Sequence, residues 1–200
     1  MRQVVSALVV STLIFQAVAN AQDSQPTTKR DARLFLSAGY GSSGLLRGLR
    51  FGAEYHFTPV ERAFGLRAHL GAFWTPTQSF TAPSALYGPG TTFEGSAQVM
   101  HLDLGVTGSI TPWPRSGVSP YVFGGLSILQ RWQNTQGGYY RRADGSLAER
   151  RPASSGTMGQ YGAVFGAGLR VRVGGRLLHF EIRKLPGVQL TFSVGTALHF

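Results

Sequence analysis

The 200-residue chain contains no cysteine, which excludes disulfides, thiol chemistry and the lipid-modified cysteine of a lipoprotein. Acidic residues are scarce as well: nine Asp and Glu stand against nineteen Lys and Arg, a formal net charge of +10. Nucleic acid is one partner for so basic a chain. An exported protein meets little of it, however, and phosphate-rich lipid headgroups are the more available anion. Long apolar runs are missing too. Beyond the first eighteen residues none approaches the ~18 to 20 that a membrane-spanning helix needs. If this chain enters a bilayer, it does so as a closed barrel, because an open sheet would leave backbone groups unpaired in hydrocarbon.

What is present begins with a leader. Arg2 supplies a positive start, Val4 to Val18 is mostly apolar, and Ala19-Asn20-Ala21 fits the small-x-small rule for signal-peptidase cleavage. The expected organisation is therefore a signal peptide over 1–21, a polar tail over 22–32 and one β-domain over 33–200.

Period-two alternation then recurs along the chain. Leu49, Phe51, Ala53, Tyr55 and Phe57 oppose Arg50, Glu54 and His56; Leu66, Ala68, Leu70, Ala72 and Trp74 oppose Arg67 and His69. Met100, Leu102, Leu104, Val106 and Ile110 oppose His101, Asp103, Thr107 and Ser109. Tyr161 to Val173 sets apolar residues against glycines, Arg170 and Arg172, and Leu178, Phe180 and Ile182 oppose His179, Glu181 and Arg183. Gln189 to Phe200 closes the chain with Leu190, Phe192, Val194, Leu198 and Phe200 on one parity. Pro120 to Gln130 is apolar on both parities, so its register stays open. Residues 75–92 and 131–158 read as two long loops, the second rich in arginine. Gly39 to Gly44 matches the dinucleotide pattern GxGxxG, but no helix or acidic residue follows where that site needs them, so it reads as a strand entering a glycine turn.

About eight strands of ~9 to 12 residues are what a tilted strand needs to cross a bilayer. An even number returns both ends to one side. Short turns near Thr58, Thr111 and Gly174 then face the periplasm, and the two long loops face outward. Tyr55, Phe57, Phe64, Trp113 and Phe200 fall near one interface, and Tyr40, Trp74, Trp132 and Tyr161 near the other.

Pro120-Tyr121-Val122-Phe123-Gly124-Gly125-Leu126, Phe165-Gly166-Ala167-Gly168-Leu169, Phe180-Glu181-Ile182-Arg183 and the strand ending in Phe200 resemble the small eight-stranded outer-membrane barrels of the OmpA, OmpX and opacity-protein type. The fold this implies is all-β, an eight-stranded antiparallel up-and-down transmembrane barrel. The resemblance further implies that Phe192, Val194, Leu198 and Phe200 form the signal read by the barrel-insertion machinery. No peptidoglycan-binding domain follows, so a cell-wall tether is not expected.

The polar parity carries the candidate site. Arg50, Glu54, His56, Arg67, His69, His101, Asp103, Arg170, Arg172, His179, Glu181, Arg183 and also His199 are expected inside the barrel. A barrel of eight strands is only wide enough for side chains to fill, and buried charges must pair. The expected outcome is a salt-bridged plug. No histidine pair has a metal-ligand spacing, and neither catalytic residues nor a cofactor are expected, since no serine, histidine and acid face lipid together. The basic stretch 131–158 suits lipopolysaccharide phosphates through its guanidinium groups. The expected protein is a monomeric integral outer-membrane barrel with a structural or surface-contact role and no nucleic-acid partner. The alternatives are a narrow pore for small solutes and an enzyme that modifies lipid A.

Overall fold

The computed structural model describes residues 33–188 and 190–198. The leader, the tail, Gln189, His199 and Phe200 lie outside them. Ten strands follow in order: β1 (Leu34–Ser43), β2 (Leu46–His56), β3 (Phe64–Trp74), β4 (Gln78–Pro83), β5 (Thr92–Ile110), β6 (Val118–Arg141), β7 (Leu147–Arg151), β8 (Ser154–Val173), β9 (Arg176–Lys184) and β10 (Leu190–Leu198). Eight of them form a ring, β5-β3-β2-β1-β10-β9-β8-β6, which the β5–β6 ladder closes. All pairings are antiparallel. With every strand paired on both sides through the barrel wall, no backbone edge faces outward at that level. That is the condition for a sheet to sit in hydrocarbon.

Along β5 the outward parity is exposed and apolar from Met100 to Ile110, while His101, Asp103 and Thr107 are buried. Ten residue steps at about 3.4 Å, tilted about 40° to the axis, rise roughly 26 Å, which matches the apolar band of a transmembrane barrel. Exposed Tyr55, Phe57, Phe64 and Trp113 ring the end with the short turns; Tyr40, Trp74 and Tyr161 ring the other, where Trp132 is half-buried. In β10 Phe192 is exposed and Val194 and Leu198 are half-buried on the outward parity.

Of the two segments expected as loops, 75–92 contains a short strand and 131–158 is largely strand. Within 75–92, β4 continues the line of β3 against β5, from Gln78↔Ala97 to Pro83↔Thr92. Within 131–158, β6 runs on to Arg141, and β7 and β8 together make its opposing strand, broken at Pro152 and Ala153. β5 and β6 stay paired as far as Thr92↔Arg141. The result is a sheet, β4-β5-β6-β7, projecting beyond the girdle of Tyr40 and Trp74. Its strands carry polar residues on the outward parity, so hydrophobic alternation gives no sign of them.

The open register of the Pro120 to Gln130 stretch resolves with Tyr121, Phe123, Ser127 and Leu129 inward and Val122, Leu126 and Ile128 outward. The GxGxxG segment is the end of β1 followed by a turn at Gly44, whose φ of 61° favours glycine.

Candidate functional site: the barrel lumen

Inward side chains of β2, β3, β5, β6 and β9 converge on two ionic groups. Nearer the short turns, Arg67 of β3 and Arg183 of β9 lie between Glu54 of β2 and Glu181 of β9. Arg67 donates to Glu54 at 2.7 Å and pairs closely with Glu181; Arg183 reaches Glu181 at 2.5 Å and pairs closely with Glu54. Two cations thus serve two carboxylates. Tyr121 Oη donates to Glu181 Oε1 at 2.7 Å, and Arg67 Nε donates to Thr107 Oγ1 at 3.0 Å. The Arg67 guanidinium lies 4.1 Å from the centroid of Phe123, a cation–π contact that strengthens away from water.

The second group crosses the lumen further along. Arg50 of β2 grips Asp103 of β5 with two bonds of 2.6 and 2.9 Å, a bidentate fork, and His69 Nε2 stands 3.5 Å from the same carboxylate. Gly71 lies beneath this pair; a β-carbon there would strike both Arg50 and Asp103.

The remaining predicted residues divide. His56 is buried 3.9 Å from Glu54 and packs on Phe35, whose ring also stacks on His179. His101 lies against Phe73 near Ser43. Arg170 is buried but is held by a carbonyl, Val60 O at 3.2 Å, with its guanidinium 4.3 Å from the Tyr121 ring. Arg172 departs from the expected interior set. Its side chain is 44% exposed and pairs at 2.7 Å with Glu61 of the β2–β3 turn. It stands two residues before the Gly174-Gly175 turn, where β8 has already passed the rim, so inward parity no longer means enclosure. Among the described residues no group of three His, Asp or Glu side chains converges as a metal site requires.

Alternation also understated the apolar content of the lumen. Phe35, Val60, Leu177 and Ala197 close the short-turn end. Tyr121, Phe123, Leu129, Val164, Leu185 and Val188 form a second cluster, and Leu46, Ala97 and Val99, with Phe80 against them, fill the mouth under the projecting sheet. Room for the larger groups comes from glycine directly across the ladder: Tyr121 faces Gly168, Phe123 faces Gly166, His69 faces Gly105 and His179 faces Gly195. A methyl group added at any of these four would collide with the facing ring. Size complementarity between neighbouring strands therefore fills the cylinder.

A closed ring with an apolar outer band, aromatic belts and a filled, ion-paired interior defines an eight-stranded antiparallel up-and-down transmembrane β-barrel. It has the fold of the small outer-membrane barrels. A major outer membrane protein from Thermus thermophilus is similar in fold, with a TM-score of 0.51 and 14% identity over 83% of this chain and 99% of that one. The N-terminal barrel domain of Pseudomonas aeruginosa OprF (TM-score 0.42, 14% identity, 84% and 98% covered) and the attachment invasion locus protein Ail of Yersinia pestis (0.39, 15%, 84% and 97%) also align. At such identities the likeness concerns the fold alone. No protein-family profile and no curated protein matches the sequence.

Proposed function

We propose that this chain is an integral outer-membrane protein whose barrel is a closed anchor and whose projecting sheet is its interacting part. It has a structural or surface-contact role and no catalytic one. In this reading residues 1–21 are cleaved on export, Phe192, Val194, Leu198 and Phe200 are read by the insertion machinery, and the short turns face the periplasm. Arg141, Arg142, Arg150 and Arg151 then stand at the outer surface, where lipopolysaccharide phosphates lie, while Arg131 is half-buried on the inward parity. The observation that carries the reading is the filling of the lumen: Arg67, Phe35, Phe73, Leu129, His69, His101, His179 and Glu181 are all essentially inaccessible to solvent. A conducting path would need that packing to open. The described histidines that a lipid-modifying enzyme would present to lipid are buried instead.

Planar-bilayer recording tests the proposal. Purified, refolded barrel should give a silent bilayer at concentrations where a porin control conducts. Reproducible single-channel steps would replace this reading with the narrow pore.

A further inference from the structure

We propose that the outward face of the projecting sheet is a binding site for an acidic saccharide. The proposal rests on the reading that this sheet stands outside the membrane. Four residues lie in register across four strands: Thr81 of β4 opposite Glu94 of β5, Glu94 opposite Tyr139 of β6, and Tyr139 opposite Arg150 of β7. A second row places Ser79 opposite Ser96. The β-bulge at Gly95 and Ala97 turns Gln136 to the same side, where Ser96 Oγ donates to Gln136 Oε1 at 3.4 Å. Between the rows runs a trough of about 540 Å³ floored by Gly95, Gly137 and Gly138. Gly137 has a φ of 92°, and the floor is bare backbone: a β-carbon at Gly95 or Gly138 would point to the other face of the sheet and strike the Phe93 ring.

The opposite face is packed. Phe80, Phe93, Tyr140 and Tyr87 form a chain of ring contacts with centroids 5.0 to 5.8 Å apart. The polar rows are therefore mounted on a braced sheet. Within them, Arg141 lies 3.5 Å from Glu94, and its guanidinium sits 5.2 Å from the Tyr139 centroid. That contact orients the carboxylate and the ring together. Arg150 lines the same trough and makes no ion pair among the described residues, so its fork of donors is free.

This combination matches the chemistry of a sugar acid. A pyranose has an apolar C–H face that suits an aromatic ring, and hydroxyls that suit carboxylate, amide and hydroxyl partners. Its carboxylate or other anionic substituent suits an unpaired guanidinium. Thr81 to Arg150 spans three strand spacings, roughly 14 Å, which suits a short oligosaccharide better than one ring. Glu94 lies six residues beyond Met100, roughly 20 Å along the strand. The trough therefore stands above the aromatic belt, within reach of sugars borne on lipid as well as of soluble ones.

The test uses the refolded protein in phosphatidylcholine nanodiscs, with trigalacturonate as the acidic probe and maltotriose as the neutral one, read by calorimetric titration. Trigalacturonate should bind at least about tenfold more tightly than maltotriose. Tyr139→Ala should weaken it about fivefold or more and Arg150→Gln about tenfold, while Arg142→Gln, the same charge change at the hairpin tip outside the trough, should leave it within about twofold. Absence of binding, equal binding of the two probes, equal loss in R142Q and R150Q, or an unaffected Y139A would each overturn the site. Repeating the titration with lipopolysaccharide in the nanodiscs separates the sources: competition assigns the site to the sugar of the membrane itself, and unchanged binding assigns it to a soluble saccharide. Heat-dependent gel mobility of every variant reports the barrel separately. Absence of trigalacturonate binding by the parent protein with that mobility intact overturns this site alone, whereas lost mobility in the parent protein would overturn the barrel reading.

Discussion

Replacing Arg67 by methionine should destabilise the barrel by about 3–5 kcal/mol, the usual cost of removing one partner from a buried ionic cluster. The magnitude follows from the surroundings of the side chain. Arg67 is 1% exposed, serves both Glu54 and Glu181, and donates to Thr107. Without it, Arg183 alone faces two carboxylates, and the four-charge group goes from neutral to one net negative charge inside the cylinder. Methionine fills most of the volume and keeps a contact with Phe123, so the loss is electrostatic more than steric. The assay is reversible urea unfolding in phosphatidylcholine vesicles, followed by tryptophan fluorescence and by gel mobility. At a denaturant slope of about 1–3 kcal/mol per molar, the midpoint should fall by on the order of 2 M. Arg172→Ala is the internal comparison. Its ion pair with Glu61 is of similar length but lies at the exposed rim, and its loss should cost no more than about 1 kcal/mol. If both variants lose about 1 kcal/mol or less, water reaches the Arg67 cluster and the reasoning that the lumen is sealed fails.

Other expectations follow from the same geometry. Leu104→Arg, on the exposed apolar face of β5, should cost about 2–4 kcal/mol in the same unfolding assay, while Asn134→Arg, above the belt, should cost about 1 kcal/mol or less. Gly166→Ala should lose about 1–3 kcal/mol because the new methyl would sit 2.6 Å from Phe123 Cζ and against the Ile182 carbonyl. Gly124→Ala, whose outward methyl meets nothing nearer than 3.8 Å, should be neutral or gain up to about 1 kcal/mol. Comparing the two midpoints checks the cross-strand size pairing directly. Arg50→Leu combined with Asp103→Leu removes both partners of a buried pair and should cost less than Asp103→Leu alone, a difference that a double-mutant cycle would register.

The sequence made the barrel wall readable wherever one parity was polar. β5 and β9 alternate cleanly, so alternation alone assigns His101, Asp103, His179, Glu181 and Arg183 to the enclosed face of their strands. β6 could not be assigned that way, because Tyr121, Phe123 and Leu129 point inward although they are apolar. A narrow lumen is filled by volume as much as by charge, and volume leaves no periodic trace. β4 and the outer parts of β6 and β8 escaped for a related reason. Above the aromatic belt neither lipid nor a full core imposes alternation, and the strands are held by their ladders and by the Phe80, Phe93 and Tyr140 cluster. The inward glycines were visible as a pattern, but their meaning needs the register: only the ladder shows Gly168 beneath Tyr121 and Gly195 beneath His179. Arg172 follows the parity of its strand and still ends outside the lumen, since alternation fixes a face and not a height.

In this barrel one face of each strand is turned to acyl chains while the other is enclosed. The chain has no cysteine of its own, so single cysteines can be placed at Leu102, Asp103, Leu104 and Thr107, labelled with a bimane fluorophore before refolding, and exposed to lipids carrying a nitroxide at mid-chain. Strong quenching at positions 102 and 104 with weak quenching at 103 and 107 is the predicted alternation. Equal quenching at all four, or none at any, would contradict it.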